Sequence, residues 1–278
     1  MDLGLKGKVA VVTGTNRKGA MGYAIATTLA KEGANVACVD IVIEGAGRIA
    51  KEIAAMGVKS IAVKADQSEH QQVVDAVARI NAELGPISIL VNNAALLRGG
   101  GRIEKTTVED WKNLMKIDLD GPWYWTREVW NQMVEKKWGR IVNISSIAGV
   151  LGGFGQANYS AAKAGVIALA KTAALEGARV GITANAVTLG VVDTTGGRML
   201  SGPPPGAGGS PPGGGPPPGR GGPPRSDTFD RIKQKIAMRE FGEPADVATI
   251  VTFLASQHAK YITGQDIHVM GGLDLFTY

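Results

Sequence analysis

The sequence predicts an α/β chain: a single doubly wound domain whose parallel sheet of seven strands carries helices on both faces. Three observations carry that prediction. Short apolar runs alternate with helix-patterned segments along the chain, as parallel strands with helical crossovers require. The connections between them are short almost everywhere. The first connection, "VTGTNRKGAMG", is glycine-rich and joins a strand to a helix, the setting in which backbone N–H groups meet phosphate.

The runs read in order as strands are "KVAVVTG" (8–14), "NVACVDI" (35–41), "KSIAVKAD" (59–66), "ISILVNN" (87–93), "GRIVNISS" (139–146), "GITANAV" (181–187) and "DIHVMGG" (266–272). Each is short and apolar enough to be buried on both faces. Between them, "MGYAIATTLAKEG" and "EHQQVVDAVARINAELG" place apolar residues at helical spacing. Residues 201–225, "SGPPPGAGGSPPGGGPPPGRGGPPR", break the alternation, because glycine and proline at this density exclude helix and central strand. Only 53 residues follow, enough for two helices and a last strand that complete the preceding sheet. The segment is therefore read as an insertion within residues 1–278 rather than a linker between domains. The helix that follows it, "SDTFDRIKQKIA", has Ser226 or Asp227 as its expected N-cap.

Composition narrows the class. A hydrophobic fraction of 44% with 20% charged residues is that of a soluble globular protein. No secretory leader pattern opens the sequence, and no window reaches the ~18 apolar residues of a membrane span. The one cysteine, Cys38, excludes an intramolecular disulfide and suits a reducing cytoplasm; its apolar surroundings predict packing rather than reactivity. The net charge of +5 comes from dispersed Lys and Arg, with no basic run interleaved with aromatics. Nucleic acid and membrane are accordingly not expected partners, and no metal site is expected.

Two clusters carry chemistry. In the first, the glycine-rich turn precedes Asp40, which ends the second strand 18 residues after Gly22. An acid there hydrogen-bonds the ribose hydroxyls of NAD and repels the extra phosphate of NADP. Arg17 in the turn could instead meet that phosphate; Asp40 has the more direct position, so NAD is favoured. Gly14, Arg17, Asp40 and Ile41 are candidate contacts at this end. In the second cluster, Ser146 ends a strand 13 residues before Tyr159, and Tyr159 precedes Lys163 by just over one helical turn. Oxidising an alcohol needs a base for its proton. A free tyrosine, with pKa ~10, is a poor one until a lysine ammonium and a cationic nicotinamide favour its phenolate. Ser146 can donate a hydrogen bond to the substrate oxygen.

TG with a glycine-rich turn, NNA at 92–94, S…Y-x-x-x-K and a terminal "YITGQDIHVMGG" together resemble the short-chain dehydrogenase/reductase family, from about residue 6 to 272. The resemblance implies a Rossmann-type domain and a homo-oligomer, a tetramer. It also implies that Asn16 and Met21 line the phosphate turn, that Asp66 meets the adenine amino group beside Gln67, and that Asn92 and Ala94 pass along the adenosine ribose. Val192 and Thr194 would hold the nicotinamide carboxamide, and Lys163 would also bind the nicotinamide ribose. This chain departs from the family pattern in a longer turn, in Ala20 and Ala95 where glycine is common, and in Leu189 where proline is expected. At Asp118 the family carries an Asn that holds a water in the lysine proton relay.

The expected substrate walls are 96–102, with Leu97, then 150–154, with Leu151 and Phe154, and the segment from Thr195 to about Phe229. Ser146 and Tyr159 complete the substrate contacts. Their apolar character suits a hydrophobic secondary alcohol or ketone handled with NAD. The alternatives are an NADPH-dependent ketoreductase of 3-oxoacyl thioesters, or a nucleotide-binding protein without catalysis. The run "WYWTREVW" (123–130) is read as core or subunit packing rather than an aromatic cage.

Overall fold

The computed structural model describes residues 2–96, 101–194 and 225–275. Seven strands, β1 (Val9–Thr13), β2 (Asn35–Asp40), β3 (Ser60–Lys64), β4 (Ile87–Asn92), β5 (Gly139–Ser146), β6 (Ile182–Leu189) and β7 (Asp266–Val269), form one sheet in the order 3-2-1-4-5-6-7. Every pairing is parallel. The helices are α1 (Met21–Lys31), α2 (Ile43–Ala54), α3 (His70–Leu84), α4 (Val108–Met115), α5 (Gly121–Glu135), α6 (Ile147–Leu151), α7 (Ala157–Gly177), α8 (Arg225–Lys235) and α9 (Pro244–Leu254). The predicted fold class is thus the observed one.

Strand periodicity builds two cores. Ala10, Val12, Val36, Cys38, Ile89 and Val91 face α1, α2 and α9. Their neighbours Val9, Val11, Ala37, Val39 and Leu90 face α3, α5 and α7. Successive side chains point to opposite faces of a strand, so an uninterrupted apolar run is what a sheet covered on both sides demands. Cys38 is fully buried in the first core, and that burial pushes its thiol pKa up to about 12, the value of an inert packing residue. Trp125 is fully buried in the second core, whereas Trp123 stands exposed on the opposite side of the same helix.

Element ends shift from the sequence reading for local reasons. β6 starts at Ile182 because Gly181 is left-handed, with φ 78°, closing a short 3₁₀ turn. It runs on to Leu189, in register with Ser146 of β5 and Val269 of β7. β7 stops at Val269, since Gly271 and Gly272 adopt φ 59° and 79°. α8 begins at Arg225, so Ser226 and Asp227 lie in its first turn rather than at the N-cap. Leu97, residues 195–200 and the Gly/Pro insertion up to residue 224 lie outside the described residues. No helix among the described residues is long and apolar enough to cross a membrane.

Candidate active site

Strand order reverses between β1 and β4, so their crossovers leave in opposite directions and open a crevice at the carboxyl edge. A cleft of about 800 Å³ occupies that edge, bordered by the ends of β1, β2, β4, β5 and β6.

The turn after β1 is locked before any ligand arrives. Gly14 has φ 76°, and a Cβ there would lie 2.9 Å from the Cα of Ala94. A Cβ on Gly22 would stand 2.2 Å from the carbonyl oxygen of Gly14. Thr13 Oγ1 accepts from the N–H groups of Asn93 and Ala94 at 3.0 and 2.9 Å, and Asn93 Nδ2 returns a bond to Thr13 O at 2.8 Å. These contacts tie the ends of β1 and β4 together. The N-cap of α1, Ala20, offers no side-chain acceptor, and its first turn holds no acid. The N–H groups and positive dipole of that helix end are therefore suited to an anion.

At the β2 end of the cleft, Asp40 is 7% exposed and lines the wall with Ile41 and Asp66. Asp40 Oδ1 accepts from Asn16 Nδ2 and from the N–H of Val42, both at 2.9 Å. Asp66 Oδ1 accepts from the N–H and hydroxyl of Ser68 at 2.9 and 2.7 Å. Gln67 donates Nε2 to Ala94 O at 3.2 Å and to Ile117 O at 2.7 Å, clamping the loop after β4. Its Oε1 is buried without a protein partner, as is Nε1 of Trp125, which also lines the cleft. An unpaired buried acceptor and donor fit a hydrogen-bonding ligand. With the glycine cradle, they make the residues present compatible with a bound nicotinamide dinucleotide.

At the other end, Ser146 lines the cleft while its Oγ caps α6 by accepting from the N–H of Ala148 at 3.2 Å. That bond leaves the hydroxyl hydrogen for donation. Tyr159 and Lys163 lie on one face of α7, with Lys163 Nζ 5.6 Å from the Tyr159 ring centroid. Lys163 is buried; its Nζ donates to Ile144 O at 3.2 Å and lies 3.4 Å from Asp118 Oδ2. This last contact is an ion pair without hydrogen-bond alignment. Asp118, fully buried, sits in a single π-helical turn, Lys116–Asp120, between α4 and α5, and its Oδ1 accepts from the N–H of Leu96 at 2.7 Å. Burial pushes its carboxyl above the ordinary range, against the pull of the Lys163 ammonium and the Leu96 N–H.

Of the residues singled out in the sequence, the cleft gathers Gly14, Asn16, Arg17, Met21, Asp40, Ile41, Asp66, Gln67, Ala94, Ser146, Tyr159, Lys163, Val192 and Thr194. Asn92 is not among its lining: its Nδ2 turns into the sheet, donating to Asn143 Oδ1 at 2.9 Å. Asp118 lies behind Lys163. Leu151 and Phe154 are 63% and 87% exposed and outside the lining, with Phe154 against the Arg102 guanidinium. Thr13 and Asn93 belong to the cleft without having been singled out, Leu96 of the expected 96–102 wall also lines it, and so does Trp125, read from the sequence as packing. Asn93 stands inside the NNA motif, which was the one signal for it. No three His, Cys, Asp or Glu side chains cluster as a metal site among the described residues.

A dinucleotide-binding oxidoreductase of the doubly wound type is the class that this cleft and topology define. A family model described as short chain dehydrogenase matches residues 8–201, and the chain belongs to the short-chain dehydrogenase/reductase family. A second model, described as enoyl-(acyl carrier protein) reductase, matches residues 218–274. Among similar curated proteins, a 3-oxoacyl-(acyl-carrier-protein) reductase of Staphylococcus epidermidis is 37% identical over 272 residues, covering 96% of this chain and 98% of the relative. One of the same name from Aquifex aeolicus is 35% identical over 274 residues, with 98% and 100% covered. An acetoacetyl-CoA reductase of Rhizobium meliloti is 38% identical over 266 residues, with 95% and 98% covered.

The turn supplies a direct test. Gly22→Ala places a methyl group against the Gly14 carbonyl, a clash of the kind that costs about 1–3 kcal/mol when a well-packed site is overfilled. The expected result is a melting temperature lower by several degrees and a loss of dinucleotide affinity, read by thermal melting and by nucleotide titration.

Proposed function

We propose that this protein is a ketoreductase that reduces the 3-oxo group of an acyl thioester to a 3-hydroxy group with NADH. The observation that carries the chemistry is the convergence of Ser146, Tyr159 and Lys163 at one end of a cleft whose other end presents Asp40. The thioester class rests on the relatives, whose names specify 3-oxoacyl and acetoacetyl substrates. They favour this reading over the broader hydrophobic secondary alcohol expected from the wall segments. NADH, rather than NADPH, rests on Asp40: a buried carboxylate at the end of β2 opposes a 2′-phosphate and can accept from ribose hydroxyls. Arg17 does not offset it there, because its Nη2 turns to Thr194 Oγ1 at 3.4 Å. The same reading carries a cytoplasmic homotetramer, from the family resemblance.

When bound, the nicotinamide supplies hydride to the carbonyl carbon. Ser146 donates a hydrogen bond to the carbonyl oxygen, favouring the negative charge that grows there. Tyr159 gives its phenolic proton to that oxygen, so hydride and proton together complete the alcohol. Lys163 stabilises the phenolate left behind and restores its proton. Asp118 holds the ammonium from behind, where the family carries a neutral amide.

Tyr159→Phe removes the proton donor and little surface. Turnover should fall below a tenth of the wild-type value while dinucleotide affinity stays within a few-fold, as steady-state kinetics and nucleotide titration would show. Higher residual activity would remove Tyr159 from this role.

Asp118→Asn keeps the shape and removes a charge. Fold and activity should persist, and the pH profile of the reverse oxidation should move to lower pH, because losing a buried negative charge eases proton release nearby. An unchanged profile would mean that Asp118 is neutral in the working enzyme, and an upward shift would contradict its coupling to Lys163.

A further inference from the structure

Neighbouring side chains in the phosphate turn face opposite ends of the cleft. Asn16 reaches back to β2, where its Nδ2 donates to Asp40 Oδ1 at 2.9 Å. Arg17 reaches forward to Thr194, at the edge of the other end. Asn16 is held in place by α2: a Cβ on Gly45 would stand 2.3 Å from the carbonyl oxygen of Asn16, so helix and turn backbone are in direct contact. The same carboxylate oxygen of Asp40 takes a second bond from the N–H of Val42 at 2.9 Å.

We propose that Asn16 is the positioning residue behind dinucleotide choice: its amide fixes the Asp40 carboxylate, and through it the preference for NADH over NADPH. The proposal rests on the reading of Asp40 given above. A carboxylate with one oxygen pinned by two donors has lost most of its rotational freedom, and its second oxygen remains for ribose hydroxyls. Ordering it in advance spares that cost when the dinucleotide binds. A fixed anion also opposes a 2′-phosphate more strongly than one that can swing away. Without the Asn16 amide, Asp40 keeps its charge and the bond from the Val42 N–H but loses the second donor that fixes its orientation. NADH should then bind less well, and discrimination against NADPH should relax.

Arg17 provides the internal contrast. Its side chain faces the end of the cleft that NADH and NADPH would occupy alike, so Arg17→Met should alter affinity for both by the same factor. A reader of the 2′-phosphate would alter NADPH alone.

The test is fluorescence titration of NADH and NADPH into wild type, Asn16→Ala, Asp40→Ala and the double variant, with melting temperatures recorded for each. Loss of one charge-assisted hydrogen bond should weaken NADH binding by Asn16→Ala roughly five- to tenfold, with NADPH changed by less than about twofold. In the Asp40→Ala background the same substitution should have no selective effect, since the group it positions is gone. Asn16→Ser, too short to reach Asp40 yet suited to a turn, should repeat the pattern if the alanine variant folds poorly. Equal loss for the two dinucleotides, or an undiminished NADH effect without Asp40, would overturn the proposal and leave Asn16 as a residue of the turn alone. A wild type that binds NADPH more tightly would overturn the NADH reading and this inference with it, and that failure shows before any variant is made.

Discussion

The end of the cleft that holds Ser146 and Tyr159 is organised around one buried lysine. Lys163 Nζ is fixed by a carbonyl of β5 and a carboxylate from the π-helical turn, so a charge removed from water is compensated on two sides. The backbone around it is equally committed. Ser145 Oγ donates to Lys163 O at 2.8 Å, and Asn143 Nδ2 donates to Val166 O at 3.0 Å. These two bonds lay α7 along β5. Gly149 closes the same contact, since a Cβ there would stand 2.7 Å from the carbonyl carbon of Lys163. Once this stretch of helix is placed, Tyr159, one turn earlier, has no choice but to face the end of β5 where Ser146 lies. Ser146, Tyr159 and Lys163, from separate elements, are thereby held at one cleft without a ligand, as the catalysis proposed for them requires.

A second set of contacts orders the opposite end of the cleft. Thr13 and Asn93 cross-link the two strands that flank the switch in strand order. Gln67 then joins the loop after β4 to the π-helical turn through Ala94 and Ile117. The same turn presents Asp118 to Lys163 on one side and packs Leu119 on Gly165 of α7, where a Cβ would lie 2.8 Å from Leu119 Cδ1. A helix wound with one extra residue in a turn displaces side chains that a regular helix would have spaced evenly. Here the turn connects the Gln67 end of the cleft to Lys163, so that the two ends are parts of one packed unit.

Much of this was legible in the residues. Seven apolar runs became seven strands; in the central ones burial on both faces requires uninterrupted apolar sequence, which the two cores divide between them, whereas the edge strands β3 and β7 are only partly buried. The spacing of Ser146, Tyr159 and Lys163 announced a cluster that the sheet edge then assembled. What escaped was decided by contacts distant in sequence. Asn92 and Asn93 are adjacent and chemically identical, yet strand alternation sends the first into the sheet toward Asn143 and the second to the cleft. The π-helical turn leaves no compositional mark. The run of β6 to Leu189 depends on pairing with β5 and β7, which local sequence does not contain. Leu151 and Phe154, picked for their apolar character beside Ser146, are exposed and outside the lining of the cleft, Leu151 at the end of α6 and Phe154 in the loop after it.

Asp118 shows how one departure from a family pattern can redirect a site without disturbing its fold. A neutral amide behind Lys163 would leave the ammonium charge to act fully on the phenol. A carboxylate in the same space meets the same Leu96 N–H and the same lysine, so its shape is accommodated, but its charge opposes the ammonium's pull. Two costs compete there: desolvation, which favours a protonated acid, and the ion pair, which favours both charges together. Position keeps both partners in reach in either case: Lys163 Nζ lies 3.4 Å from Asp118 Oδ2, and its bond to Ile144 O holds the lysine between strand and turn whichever way the carboxyl is charged.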